Sequence, residues 1–142
     1  MQPALKVSTE VLVRFSEVDS LTIVWHGHYV KYFEDAREKF GLQYGLGYMD
    51  VYKNGFVTPI VKLDCEFKRP LMYGDKAIVE ATFINTPAAK IQFRFKIFNA
   101  ANKEVVATGS STQVFLTRET FELHLTVPEF FAEWKKKMGI IQ

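Results

Sequence analysis

Between Arg14 and Tyr29 lies the one stretch of this 142-residue chain whose residue types and spacing could together do chemistry. Asp19 supplies a carboxylate; Val24, Trp25, His26, Gly27 and His28 follow, and Tyr29 opens a helical pattern. Backbone N–H groups at a helix start have no intrahelical partner and carry partial positive charge, so they can hold a developing oxyanion. Gly27 has no side chain to obstruct approach to that backbone. A carboxylate facing such donors suits attack on an activated acyl group, by adding to the carbonyl or by taking a proton from water. An ester or thioester fits, because its leaving group needs little help. The same residues also suit plainer duties, with Asp19 in a turn and His26 and His28 at loop or capping positions. Spacing alone leaves both open.

The flanking periodicities say what must position this stretch. Val7, Thr9, Val11, Val13 and Phe15 alternate with polar residues, the period of a half-buried strand. From about His28 to Tyr44 the apolar residues Tyr29, Phe33, Ala36 and Phe40 fall at offsets of three and four, one face of a long helix. Gly41, Gly45 and Gly47 are expected to end it and begin a loop to about Phe56. Four strand patterns follow: Val57 to Phe67, Ala77 to Phe83, Ile91 to Ile97 and Val105 to about Leu116, with Arg69-Pro70 and Asn85-Thr86-Pro87 as breaks. Thr126 and Glu129 have capping-box spacing ahead of a short helix with the apolar stripe Phe130, Phe131, Trp134 and Met138. Lys135, Lys136 and Lys137 suit the negative end of that helix as a solvated run. Consecutive strands with short connections are most simply antiparallel, and a helix this long and apolar must bury itself against the sheet. The expectation is one α+β domain over residues 1–142.

Composition narrows the function classes. The chain is 48% apolar with a net charge of +2, which excludes disorder and gives no electrostatic case for nucleic acid. No apolar run approaches the ~20 residues of a membrane helix, and Met1–Lys6 lacks a signal peptide's apolar region, so a cytoplasmic protein without integral membrane contact is expected. The single cysteine, Cys65, excludes an internal disulfide and sits on the apolar parity of its strand, a small core residue rather than a nucleophile. No phosphate-cradling glycine loop, Gly-x-Ser-x-Gly or His-Glu-x-x-His is present. Glu34 and Glu38 are further carboxylates on the long helix, but Glu34 stands three residues before Arg37 and reads as half of a surface ion pair. Lys68, Arg69, Lys90 and Arg94 are most simply solvated strand or turn charges.

Asp19, His26 seven residues on and Tyr29 ten on, followed by Tyr32-Phe33-Glu34-Asp35-Ala36-Arg37, resemble the 4-hydroxybenzoyl-CoA thioesterase family. The likeness is closest to its branch of acyl-CoA thioesterases associated with the Tol–Pal system and fatty-acid metabolism. Phe67-Lys68-Arg69-Pro70 and Gly74-Asp75 resemble the family's link between its second and third strands. The resemblance implies a hot-dog fold, an antiparallel sheet of about five strands wrapped around one long helix. It implies hydrolysis of an acyl-CoA to a carboxylic acid and free CoA, with Asp19 as nucleophile or general base and backbone N–H groups near His26 polarising the carbonyl. His26 would assist, and Val24, Trp25, Gly27, His28 and Tyr29 would shape the substrate site. No metal or cofactor is implied, and the partner is a second copy, as a homodimer or homotetramer with sites at the interface. Two positions depart from the pattern: Thr22 stands where glycine is usual, and His28 where asparagine is usual. Related activities are an acyl-carrier-protein thioesterase, a hot-dog hydratase or dehydratase, and a non-catalytic acyl-binding module.

Overall fold

The computed structural model describes residues 5–140, so the reading of Met1–Ala4 lies outside the described residues. The chain opens with β1 (Lys6–Leu12), crosses to the long helix α1 (Tyr29–Tyr44) and a short α2 (Tyr48–Lys53), and then enters β2 (Phe56–Val57) and β3 (Ile60–Phe67). It continues through β4 (Lys76–Ile84), β5 (Lys90–Asn99), β6 (Val105–Val114) and β7 (Leu116–Thr117) to α3 (Glu129–Lys137). Five strands form an antiparallel sheet in the order β1-β4-β5-β6-β3, and β2 pairs with β7 in a separate two-stranded ribbon.

Strict alternation does the work in the centre of the sheet. Ala77, Val79, Ala81 and Phe83 of β4 and Ile91, Phe93, Phe95 and Ile97 of β5 all point inward and are buried. The inward face of β6 is smaller and more polar, with Ala107, Gly109, Ser111 and Gln113. Against this face lie Tyr29, Phe33, Ala36 and Phe40 of α1, the expected helical stripe, and with them Tyr32, which is also buried. Phe33 stacks on Phe95 at 4.6 Å, and Phe40 meets Phe93 at 4.9 Å. A Cβ on Gly109 would come within 2.5 Å of the Phe33 ring, so the missing side chain lets helix and sheet approach.

Several sequence expectations are corrected here. Gly41 does not end α1; it lies buried inside it, packed against Gly47, and the helix closes at Gly45 with φ of 75°. The expected loop to Phe56 contains α2, which has only six residues and is too short to show a period. Asp50 caps it, accepting the Gly47 N–H at 2.8 Å. The run from Val57 splits at Thr58-Pro59 into β2 and β3, and the last strand pattern splits at Phe115 into β6 and β7. Phe15 leaves the β1 face and stands exposed in a 3₁₀ turn, Phe15–Glu17. On β3 the alternating residues Val61, Leu63 and Phe67 are exposed, because this strand is a sheet edge. Thr126 is not the cap of α3; Pro128 takes that place, and the Thr126 hydroxyl lies 3.3 Å from His124 Nε2.

Lys135 departs furthest from its expected solvated run. It is 1% exposed, its Nζ donates to the Thr86 carbonyl at 2.7 Å, and it lies 4.8 Å from the centre of the Phe131 ring. Burial lowers its pKa. The side chain thus ties α3 to the β4–β5 turn. No helix among the described residues is long and apolar enough to cross a membrane.

Candidate active site

The crossing from β1 to α1 is a small hairpin pinned at three points. Val18 bridges to Val24, the Asp19 N–H donates to the Ile23 carbonyl at 2.9 Å, and the Trp25 N–H donates to the Glu17 carbonyl at 2.9 Å. Glu17 anchors its outer end, accepting the Arg14 N–H at 2.8 Å and the Tyr32 hydroxyl at 3.0 Å. Burial first, then the hydrogen bond and charge of Glu17, raise the Tyr32 pKa, so this hydroxyl stays a donor. The inner end is held by the Val24 N–H to Leu71 O at 2.8 Å, and by Tyr29, whose hydroxyl accepts the Leu71 N–H at 3.3 Å. Burial likewise raises the pKa of Tyr29. Sequence patterns gave no sign of Glu17, Tyr32 and Leu71 as positioning groups, because their partners lie on separate elements.

Within the hairpin, Asp19 is half-buried and its carboxylate is oriented by its own turn. One oxygen, Oδ1, accepts the Leu21 N–H at 2.8 Å, and the Asp19 carbonyl accepts the Thr22 N–H at 2.9 Å. The second carboxylate oxygen has no partner, and no basic side chain pairs with Asp19 among the described residues. Thr22 completes the turn at φ of 65°, the left-handed region that favours glycine. The departure noted in the sequence therefore carries a real backbone cost.

Past the hairpin the chain enters a 3₁₀ turn, His26–His28, that runs into α1. The N–H groups of His28 and Tyr29 are used, donating to the carbonyls of Trp25 and His26. Those of His26 and Gly27 donate to no acceptor among the described residues. Two N–H groups near His26 are thus left unused among the described residues. The Gly27 face is not vacant, however: a Cβ there would fall 2.1 Å from the indole of Trp25. Trp25 also packs against the rings of His26 and His28, and His26 meets Phe67 of the edge strand β3 at 6.2 Å. His28 Nδ1 is buried with no hydrogen-bond partner among the described residues. Val24 and Tyr29 are core residues, each 3% exposed, so they support the site from behind.

Other candidates resolve more simply. The Cys65 thiol is pushed up to about 11 by burial and then by the charge of Asp64, which leaves it protonated and unreactive. Glu34 contacts Arg37 at 3.5 Å, the expected i, i+3 pair. Among the described residues no cluster of three or more His, Cys, Asp or Glu could hold a metal ion. Two cavities run along α1, of about 50 and about 600 Å³, and share Glu34 and Arg37 in their walls. Neither is lined by Asp19 or His26.

A sheet of this order around one long helix is a hot-dog fold. The crystal structure of a DHNA-CoA thioesterase from Staphylococcus aureus superposes with a TM-score of 0.81 at 25% identity, covering 96% of this chain and 97% of that one. Residues 13–135 match the Thioesterase-like superfamily, and the chain belongs to it, in the class of thioester hydrolases. Among relatives, the candidate acyl-CoA thioesterase YneP of Bacillus subtilis is 28% identical over 125 residues, 88% of this chain and 89% of that protein. The chloroplastic acyl-acyl carrier protein thioesterase ATL3 of Arabidopsis thaliana is 32% identical over 107 residues, 75% of this chain but 56% of that protein.

Proposed function

We propose that the chain hydrolyses acyl-CoA thioesters to a carboxylic acid and free CoA. Asp19 acts through its free carboxylate oxygen, as nucleophile on the carbonyl carbon or as the base that takes a proton from water. The N–H groups of His26 and Gly27 receive the oxyanion, and collapse of the adduct expels the CoA thiolate; if Asp19 is the nucleophile, water then cleaves the resulting Asp19–acyl anhydride to release the acid and restore the carboxylate. The observation that carries this reading is the coincidence, in one pinned hairpin and its adjoining turn, of an unpaired carboxylate oxygen with two unused amides. His26 and Trp25 border the carbonyl position, and the substrate enters beside Phe67. The Asp19–Tyr29 block supports the 4-hydroxybenzoyl-CoA branch associated with the Tol–Pal system.

The working unit in this reading is a homodimer joined along β3, which pairs further into a homotetramer. An edge strand that leaves Val61, Leu63 and Phe67 exposed supports this, since an uncovered apolar edge otherwise invites aggregation. The face meeting His26 would then carry the partner's wall of the site. A lone, unreactive thiol and no disulfide suit the cytoplasm.

A thiol-release screen tests the reading, with short, long, branched and aromatic acyl-CoAs beside the matching acyl-carrier-protein thioesters. Release from acyl-CoA is expected. Release from the carrier protein alone would favour the second reading, to which the likeness to ATL3 gives weight. Thermal stabilisation by acyl-CoA without thiol release would instead make the chain a binding module.

A further inference from the structure

The five-stranded sheet ends in β1 on one side and β3 on the other, and the chain treats these two edges differently. In β1 the Leu5 carbonyl accepts the Phe83 N–H at 2.9 Å, in step with the pairing of Val7 to Ala81 and Thr9 to Val79. Backbone bonding alternates along an antiparallel strand, so these odd-numbered residues serve β4, while Lys6, Ser8 and Glu10 turn their N–H and C=O groups to the free edge. Two of those carbonyls are already taken by side chains of α1. Lys39 Nζ donates to Ser8 O at 2.6 Å, and the Tyr44 hydroxyl donates to Lys6 O at 3.4 Å. The Tyr44 ring is itself fixed by packing on Phe40 at 4.7 Å. On β3 the same alternation, read from the Lys68 N–H to Val106 O bond at 2.8 Å, turns the backbone of Leu63, Cys65 and Phe67 to the edge. No side chain donates to a β3 carbonyl among the described residues.

The capped edge is one whose sequence suits pairing with itself. In Lys6-Val7-Ser8-Thr9-Glu10, antiparallel pairing about Ser8 sets each Lys6 opposite the Glu10 of a second copy, and Ser8 opposite Ser8. Opposite charges facing each other across two strands attract. Lys39 sits on the acceptor that the central Ser8 pair needs, and Tyr44 on the acceptor that the Glu10 N–H needs. We propose that Lys39 and Tyr44 guard the β1 edge against the same edge of a second copy of this chain. Their bonds remove both acceptors, and Lys39 adds a charge of the kind that blunts sheet edges. Closing one edge keeps assembly finite: a sheet with two self-complementary edges strings copies into an open ribbon, whereas a single open edge stops at a pair. The inference needs neither thioester hydrolysis nor the joint proposed at β3; that joint sets only how far an opened molecule grows.

The test measures mass in solution by light scattering, over a wide range of concentration, for the parent chain, Lys39→Ala, Lys39→Ala/Tyr44→Phe and Lys39→Arg. Phenylalanine keeps the ring that packs on Phe40, and arginine keeps a donor for the Ser8 carbonyl. A second readout adds Ser8→Cys and Cys65→Ser to each. Residues facing each other in a bonded antiparallel pair lie about 5.5 Å apart between Cα atoms, within reach of a disulfide. The double variant is expected to reach about twice the parental mass or more as concentration rises, and to grow without limit where β3 already joins copies. It should oxidise to a link at position 8 about tenfold faster than the parent, the scale of one or two edge hydrogen bonds made available. Lys39→Ala alone should fall between, and keeps the test open where the double variant folds poorly; Lys39→Arg should match the parent. Parental mass and parental linking rate in both opened variants would overturn the proposal. So would growth without the link at position 8, or equal growth of Lys39→Arg.

Discussion

The two ends of α1 obey opposite rules. At its C-terminal end the rings of Phe40, Phe83, Phe93, Phe131 and Trp134 interlock, with Phe131 and Trp134 stacked at 5.8 Å. The polar groups there are spoken for: Trp134 Nε1 donates to the Tyr44 carbonyl at 2.7 Å, and Lys135 Nζ to Thr86. At the N-terminal end a β-branched residue sits in a left-handed turn, two amides donate to nothing described, and a histidine nitrogen is buried without a partner. The first end is what burial and hydrogen bonding alone would select. The second accepts costs that folding does not require, and such local violations concentrate where a chain does its chemistry.

Four substitutions probe the contrast. Phe131→Ala at the satisfied end should lose about 3–5 kcal/mol by thermal or denaturant unfolding, because its buried ring has nothing to replace it. A loss under 1 kcal/mol would mean that α3 is not part of the core. At the other end, Gly27→Ala drives a methyl into the indole of Trp25 and should lower kcat/KM about tenfold or more by displacing the donor turn. In a Trp25→Ala background the same change should cost far less, so additive losses would contradict the role given to the indole. Thr22→Gly should stabilise the fold by about 1 kcal/mol, by removing the left-handed strain; a lower melting point would show that no strain is stored there.

The smallest effect concerns Asp35 on α1, whose pKa is raised above 3.8 by partial burial and then by Glu38, Glu17 and Glu34. A carboxyl whose folded pKa is raised contributes stability that is full below its unfolded value and lost as pH climbs through the folded one. Asp35→Asn should therefore raise the melting temperature slightly at neutral pH, and the gain should vanish below the ordinary carboxylate value. A gain that persists in acid would point to packing instead.

How much was legible follows from what periodicity encodes. Alternation in β4 and β5 and the offsets in α1 identify residues sharing a face, and where that face meets the core the reading holds. The same alternation in β3 names a shared face too, but cannot say that nothing in the single chain covers it. α2 spans too few residues for a period, and its signal was Asp50 three residues after Gly47. Lys135 shows the limit of charge patterning, since its burial depends on a carbonyl 49 residues away. At the site, Asp19, the helix-start donors near His26 and threonine in a glycine position at Thr22 stood out in the sequence, but their roles stayed open because spacing does not show which backbone groups a fold leaves unpaired. Ser111, whose buried hydroxyl has no hydrogen-bond partner among the described residues, did not stand out, because that depends on the space left between α1 and β6.

The most direct measurement compares thiol release by the parent chain and by Asp19→Asn. Asparagine keeps the side-chain oxygen that accepts the Leu21 N–H, so the hairpin and the melting temperature should be unchanged. Turnover should fall by about 10²-fold or more, the scale of a lost base or nucleophile. Undiminished hydrolysis by a folded Asp19→Asn variant would contradict the account.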